Sequence, residues 1–401
     1  MGKTPEYHRL WTILTVLIFS PVSVLAQNYP LVPDSRCNCF RTNTTTSHYF
    51  KNHKFFDFRD LSQYARVPAP IVTAEGSAAA PVTNAYFEGP AWTSTWSIQT
   101  WNNSAQLGGS DSDGAATGSD ASVLMVNSAN NIYIQHNDDL NAKSNTYMVL
   151  RTVRHDSFQS AAEIDSVSAD YQYLSIRMLA RTRGAPGAIT AMFTYHRADQ
   201  QSQVQESDLE IRTSDPKSAI HYTNQPSYNA SGAVPQATRN VSRPGALDWS
   251  QWHYHRMDWA PGSSSWFVDG QLVSSIQFQT PKDLSSVVFN AWSDGGTWSG
   301  NMSVNTTAEM QIQWIELVYN NTDTTNTTSP GAPARRGVTG FPAFPGQQLQ
   351  NKPTNSSSCA NVCSIDQTSK VGTPVLISQP QAADIPSSAQ APRSPAAAKV
   401  L

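Results

Sequence analysis

The chain has 401 residues and a formal charge of −3. Only 14% of its residues are charged, against roughly 25% in an average soluble domain, so there is no clustered Lys and Arg for a phosphate backbone or an anionic membrane, and a nucleic-acid partner is excluded. Its 21 Gly and 25 Pro are ordinary in number, which rules out a collagen-like chain, and the longest apolar run is too short to span a bilayer.

Residues 1–26 have the layout of a secretory signal peptide. Lys3, His8 and Arg9 give a basic start, Leu10 to Phe19 an apolar stretch, and Val24-Leu25-Ala26 small residues for cleavage. The expected address is secreted, extracellular or cell-wall associated. Nine sequons fit that address: Asn43, Asn102, Asn229, Asn240, Asn301, Asn305, Asn320, Asn326 and Asn355. Glycans at such sites would replace charge as the solubilising device.

The cysteines sit in two pairs, Cys37 and Cys39 in the short segment 27–44, Cys359 and Cys363 near the other end. An oxidising compartment allows three pairings of four cysteines. A Cys37–Cys39 ring would be very tight, so two bonds joining the N-terminal segment to the tail are expected rather than a zinc site.

Residues 45–320 read as one all-β domain. In Tyr171 to Arg181, Leu174, Ile176 and Met178 alternate onto one face, and Ile189, Ala191, Phe193 and Tyr195 alternate again after Gly184-Ala185-Pro186-Gly187. Asp269-Gly270 between Trp266-Phe267-Val268 and Gln271-Leu272-Val273 is a hairpin signal, because these residues accept the positive φ of a tight turn. Ser286 to Trp292 and Met310 to Tyr319 complete a series of short strands that predicts a sandwich or barrel. From residue 321 to 401 the chain is rich in Thr, Ser, Pro, Ala and Gln, and a tail without fixed structure is expected.

Gln205 to Ile211 carries Glu206, Asp208 and Glu210 at every second position. On a strand these three share one face, opposite Ser207, Leu209 and Ile211. A row of carboxylates repels itself, so stability does not explain it. A solvated edge strand is the bland reading. Catalysis explains the spacing better. Retaining glycoside hydrolysis uses two carboxyl groups about 5–5.5 Å apart, whereas strand positions four apart are separated by about 13 Å of backbone, so leaning side chains on a curved sheet must close the gap. Mutual repulsion would keep one member protonated.

With this motif in hand, residues 187–319 resemble glycoside hydrolase family 16, in its lichenase-like and fungal members. The likeness rests on the Glu-x-Asp-x-Glu strand, Met192-Phe193-Thr194-Tyr195 before it, and His221-Tyr222-Thr223-Asn224 after it. Trp252 to Trp259 with Trp266 to Gly270, and Phe289-Asn290-Ala291-Trp292-Ser293 with Trp298-Ser299-Gly300, follow in order. The resemblance implies a β-jelly-roll sandwich of concanavalin A-like architecture, two packed antiparallel sheets with a concave glycan cleft. It implies Glu206 as nucleophile, Glu210 as acid/base and Asp208 as their tuning carboxyl. It places Phe193, Tyr195, Tyr222, Asn224, Trp292 and Trp298 on the substrate, with Trp252, Trp259 and Trp266 packed inside. Gln313 stands before Trp314 where lichenase-like members often carry a calcium-binding Asp, so no metal and no cofactor are expected. His253 and His255 share a strand face and are read as structural. The implied activity is a secreted endo-β-glucanase acting on a polysaccharide as a monomer. The alternatives are a cell-wall transglycosylase using the same residues and a lectin-like glycan binder.

Overall fold

The structure, a computed structural model, describes residues 29–42, 48–107, 120–229, 231–243, 245–322 and 359–378. Residues 1–26, 323–358 and 379–401, and so Asn326 and Asn355, together with Asn43, lie outside the described residues. Among the described residues no helix is long and apolar enough to cross a membrane.

Two antiparallel sheets pack face to face. The first, here the cleft sheet, runs in the order Thr238–Ser242, Ala219–Gln225, Gln205–Arg212, Ile189–His196, Ser286–Trp292, Gln159–Ser166 and Trp96–Ile98. The second, the outer sheet, runs from Ile132–His136 through Thr146–Arg154, Thr307–Asn321, Tyr171–Gly184, His253–Ala260 and Ser263–Val268 to Gln271–Ile276. Gln159–Ser166 belongs to both, pairing Thr146–Arg154 at one end and Ser286–Trp292 at the other, so the sheets are continuous at that corner. The fold is all-β and jelly-roll-like.

The period-2 pattern accounts for the core. Leu174, Ile176 and Met178 face inward from the outer sheet, Met192, Leu209, Ile211 and Phe289 from the cleft sheet, and each is essentially solvent-free. An aromatic group closes one end, where Phe87 meets Trp92 edge-on at 4.9 Å and Trp96 meets Phe289 at 5.6 Å, the arrangement favoured by the ring quadrupole. The hairpin at Asp269-Gly270 forms as its residue types require, with φ of 50° and 78°. A register shift between Ile312 and Trp314 lets Thr307–Asn321 pair first with Thr146–Arg154 and then with Asn52–Asp57.

The expectation of an unstructured tail fails for residues 359–378. Val362–Ser364 and Val375–Ser378 join Cys39–Arg41 and Tyr49–Phe50 in a separate four-stranded sheet. Cys39–Arg41 pairs with Val362–Ser364 in parallel, and disulfides join Cys37 to Cys363 and Cys39 to Cys359. Average composition concealed a short segment whose apolar residues have a partner. Ile365 and Cys363 pack with Phe40 and Phe50 on Val318 of the outer sheet. Charged groups beneath them form ion pairs. Asp366 meets Arg177 at 2.6 Å and Arg256 at 3.1 Å, Arg256 meets Asp258 at 2.7 Å, and His53 donates to Asp34 at 2.9 Å and Glu316 at 3.1 Å. Burial disfavours a charged His53, but the two carboxylates outweigh it and push its pKa up to about 9.

Candidate active site

The cleft sheet's outer face carries the acidic row. Glu206 lies opposite Tyr195 and Gln225, Asp208 opposite Phe193 and Thr223, and Glu210 opposite Ala191 and His221. Ser207, Leu209 and Ile211 are buried on the opposite face. Ile189, Ala191, Phe193 and Val288 make an apolar floor beside the carboxylates. A cleft of about 490 Å³ stands over this floor, lined by Glu206, Asp208 and Glu210 together with Tyr195, Trp292 and Trp101.

Protonation differs along the row. Burial, then the charges of Glu206 and Glu210, hold the Asp208 carboxyl well above the usual range, and Asp208 hydrogen-bonds Glu206. On its other side Gln225 Nε2 donates to Asp208 Oδ2 at 3.4 Å. Burial raises Glu210 to about 7, against the opposing effects of Trp298 and Arg212.

Trp298 is held over Glu210. Its indole N–H donates to Glu210 Oε1 at 3.1 Å, the Arg212 guanidinium lies 4.7 Å from its ring, and the His221 ring meets it edge-on at 5.1 Å. His221 Nε2 in turn donates to Asp215 at 2.6 Å. The loop bearing Trp298 is pinned by Asp120, which accepts from Thr297 N at 2.8 Å and Thr297 Oγ1 at 2.5 Å. Those bonds hold Asp120 below the usual carboxylate range. Gly296 permits this approach, since a Cβ there would stand 2.4 Å from Asp120 Oδ1.

Two predicted substrate contacts are corrected. Tyr222 and Asn224 pair with Leu209 and Ser207, so both point into the core rather than the cleft. Tyr222 lies against Trp266 at 5.3 Å, and Asn224 accepts from Ser207 Oγ at 2.7 Å and donates to Phe278 O at 3.0 Å. A strand's period of two puts neighbours on opposite faces, so His221, Thr223 and Gln225 hold the cleft side instead. Phe193, Tyr195 and Trp292 line the cleft, and Trp298 reaches Glu210 from its rim, 37% exposed.

Trp259 and Trp266 are core residues, while Trp252 is half-buried on the far side of the outer sheet, against Tyr147 and 4.2 Å from the Arg181 guanidinium. His253 Nδ1 donates to Asp269 Oδ2 at 2.7 Å, and His255 is fully buried. Gln313 is buried at the strand irregularity, its carbonyl accepting from Phe58 N. No group of three or more His, Cys, Asp or Glu able to hold a metal ion occurs among the described residues. Asn102, Asn229, Asn240, Asn301 and Asn305 are exposed. Asn320 is half-buried, and its Nδ2 donates to Tyr49 O at 3.2 Å.

Trp101 and Glu163 are cleft residues that the motif did not reveal. Trp101 Nε1 donates to Glu163 Oε1 at 2.8 Å, and Asn290 Nδ2 donates to Glu163 Oε2 at 3.3 Å. One signal was present: Glu163 interrupts Ser160-Ala161-Ala162-Glu163-Ile164, a run of small and apolar residues.

Residues 121–316 match the sequence model described as "Glycosyl hydrolases family 16". That span starts well before the motif-bearing stretch 187–319. A β-glucanase of Bacillus licheniformis is 29% identical over 68 residues, 16% of this chain and 28% of the relative. A β-glucanase of Paenibacillus polymyxa is 23% identical over 136 residues, 33% of this chain and 54% of the relative. The chain thus spans about half or less of these curated relatives. Among solved structures, Bacillus licheniformis β-glucanase is similar at TM-score 0.42 and 20% identity, covering 56% of this chain and 92% of that one. A prokaryotic β-1,3-1,4-glucanase (lichenase) from a mouse hindgut metagenome is similar at TM-score 0.43 and 16% identity, covering 67% and 99%. The family match includes both cleft-lining Glu163 and the whole acidic strand, so residues 121–316, which hold most of the sandwich, are similar to glycosyl hydrolase family 16.

Proposed function

We propose that the protein is a secreted, retaining glycoside hydrolase that cleaves β-glucan-type polysaccharides. The observation that carries this reading is the row of three carboxyl groups in one cleft, with Glu210 raised to about 7 and Asp208 held well above the usual carboxylate range. In the first step Glu206 attacks the anomeric carbon while Glu210 gives its proton to the departing glycosidic oxygen, leaving a glycosyl ester on Glu206. Water then enters, Glu210 takes its proton, and the ester opens with the original configuration restored. Asp208, hydrogen-bonded to Glu206, stabilises that carboxylate as it leaves in the second step. The apolar floor and the Trp292 ring suit the C–H faces of sugars, while Glu163 and Asn290 suit their hydroxyls.

The β-glucan substrate is supported by the names of the two curated relatives. Secretion is supported by the N-terminal layout, two disulfides and the exposed sequons. The test is incubation with laminarin, lichenan, xyloglucan and chitin-linked glucan, with products sized and their anomeric configuration read by NMR before mutarotation. A retained β-anomer that disappears in Glu206→Gln supports the reading, and an inverted product or activity surviving that substitution refutes it. A labelled acceptor oligosaccharide in the same assay reads whether the glycosyl ester passes to water or to a sugar hydroxyl.

A further inference from the structure

A second cavity, of about 710 Å³, opens at the end of the sandwich beyond the Glu206 end of the acidic strand. It is walled by the connection before that strand, by residues 277–283, and by the ring of Tyr173. Five amide side chains line it: Gln203, Gln205, Gln225, Gln277 and Gln279. The two formal charges at its wall, Lys282 and Asp283, cancel. It therefore lacks the net charge that an ionic ligand requires.

The wall is already built. Gln205 Oε1 accepts from Lys282 N at 2.8 Å and Asp283 N at 3.2 Å, and its Nε2 donates to the Asp283 carboxylate. His196 Nδ1 lies 2.8 Å from Leu284 O, and the Tyr173 ring is braced edge-on against Trp259 at 5.2 Å. Gln205 is thus spent on structure, whereas Gln279 is not. Its Oε1 is shielded from solvent with no hydrogen-bond partner, a costly state for a buried acceptor. Gln279 and Tyr173 also hold left-handed backbone, φ 51° and 67°, which disfavours side-chain-bearing residues.

We propose that this cavity is a second saccharide site, holding a neutral hexose unit of a glycan outside the catalytic cleft. An uncharged amide offers both donors and an acceptor, matching the dual character of a sugar hydroxyl, and the Tyr173 ring supplies an apolar face. The choice of a sugar over another neutral polar ligand rests on reading the neighbouring cleft as a glycan site. Gln225 joins the two, since it lines the second cavity and its Nε2 reaches Asp208.

The test is calorimetric titration of full-length Glu206→Gln with linear β-1,3- and β-1,4-gluco-oligosaccharides of six units. Two sites per chain are expected. Adding Trp292→Ala should weaken one at least tenfold and spare the other. Adding Gln203→Ala, Gln277→Ala and Gln279→Gly should weaken the second at least tenfold and spare the first, with glycine suiting the left-handed position; Gln279→Gly alone serves should the triple variant not fold. One site per chain, abolished by Trp292→Ala, overturns the second site and leaves the hydrolase reading intact. A second site indifferent to the amide substitutions also overturns it. No binding at all, together with no hydrolysis by the unsubstituted protein, refutes both readings.

Discussion

The cleft sheet and the disulfide-bound sheet that covers the outer sheet treat buried charge in opposite ways. In the cleft, Glu206, Asp208 and Glu210 are aligned with like neighbours, and burial with that repulsion raises the proton affinity of Asp208, while burial raises that of Glu210. Under the outer cover every acidic group named above has a cationic partner, with Asp366 between Arg177 and Arg256 and His53 between Asp34 and Glu316. Opposite charges in contact favour the ionised forms, whereas like charges out of water favour neutral ones. The first arrangement creates a proton to transfer, and the second creates an attachment. A side-chain deletion should therefore reveal which kind of region it came from.

The largest contrast is between Glu210→Gln and Arg177→Ala. Glu210→Gln should lower kcat by about 10²–10⁴-fold, the usual worth of a positioned general acid, with the melting temperature unchanged or raised because a repelling carboxylate is gone. Arg177→Ala should instead cost about 3–5 kcal/mol of stability by leaving buried carboxylates underpaired, with the turnover of the folded fraction retained. Denaturant unfolding and steady-state kinetics on both variants check this. Equal losses in both measurements would dissolve the distinction.

A smaller effect sharpens the cleft side. Glu210 must be protonated to act, so kcat/KM should fall above about pH 7, with a limiting slope of about tenfold per pH unit. Trp298 holds that pKa down through its indole N–H. Trp298→Phe should move the alkaline limb to higher pH, and a limb that stays in place would separate Trp298 from the acid.

The last effect probes the cover and is read as a dependence on pH. His53 has a folded pKa of about 9 against an ordinary value of 6.5. Its contribution is fully present below pH 6.5 and is lost as pH rises through about 9, because the folded state holds a proton the unfolded chain releases. Stability should decline across that window by up to about 1.4 kcal/mol per pH unit. Thermal unfolding of His53→Gln should show that slope flattened.

Much of the sandwich is legible in the sequence because a half-buried strand writes its two faces as alternation. Leu174, Ile176 and Met178 show it, and so does the acidic strand, where carboxylates alternate with Ser207, Leu209 and Ile211. His221-Tyr222-Thr223-Asn224 carries no such contrast. All four side chains have polar groups, and the core accepts Tyr222 and Asn224 because Trp266 covers one while Ser207 and the Phe278 carbonyl satisfy the other. Trp101 and Glu163 are distant from the motif in sequence and meet it only through strand order. Residues 359–378 were hidden for a different reason. Their few apolar side chains complete a sheet whose other half is near the opposite end of the chain.

That distance has a consequence in time. Cys39–Arg41 finds its parallel partner only at Val362–Ser364, and its disulfides span 326 and 320 residues. At synthesis rates of about 5–20 residues per second, roughly 15–65 s separate the emergence of the two partners. The strands of the sandwich are all made in that interval, so the cover closes last, and Cys37 and Cys39 meet their partners only after the whole sandwich has been synthesised.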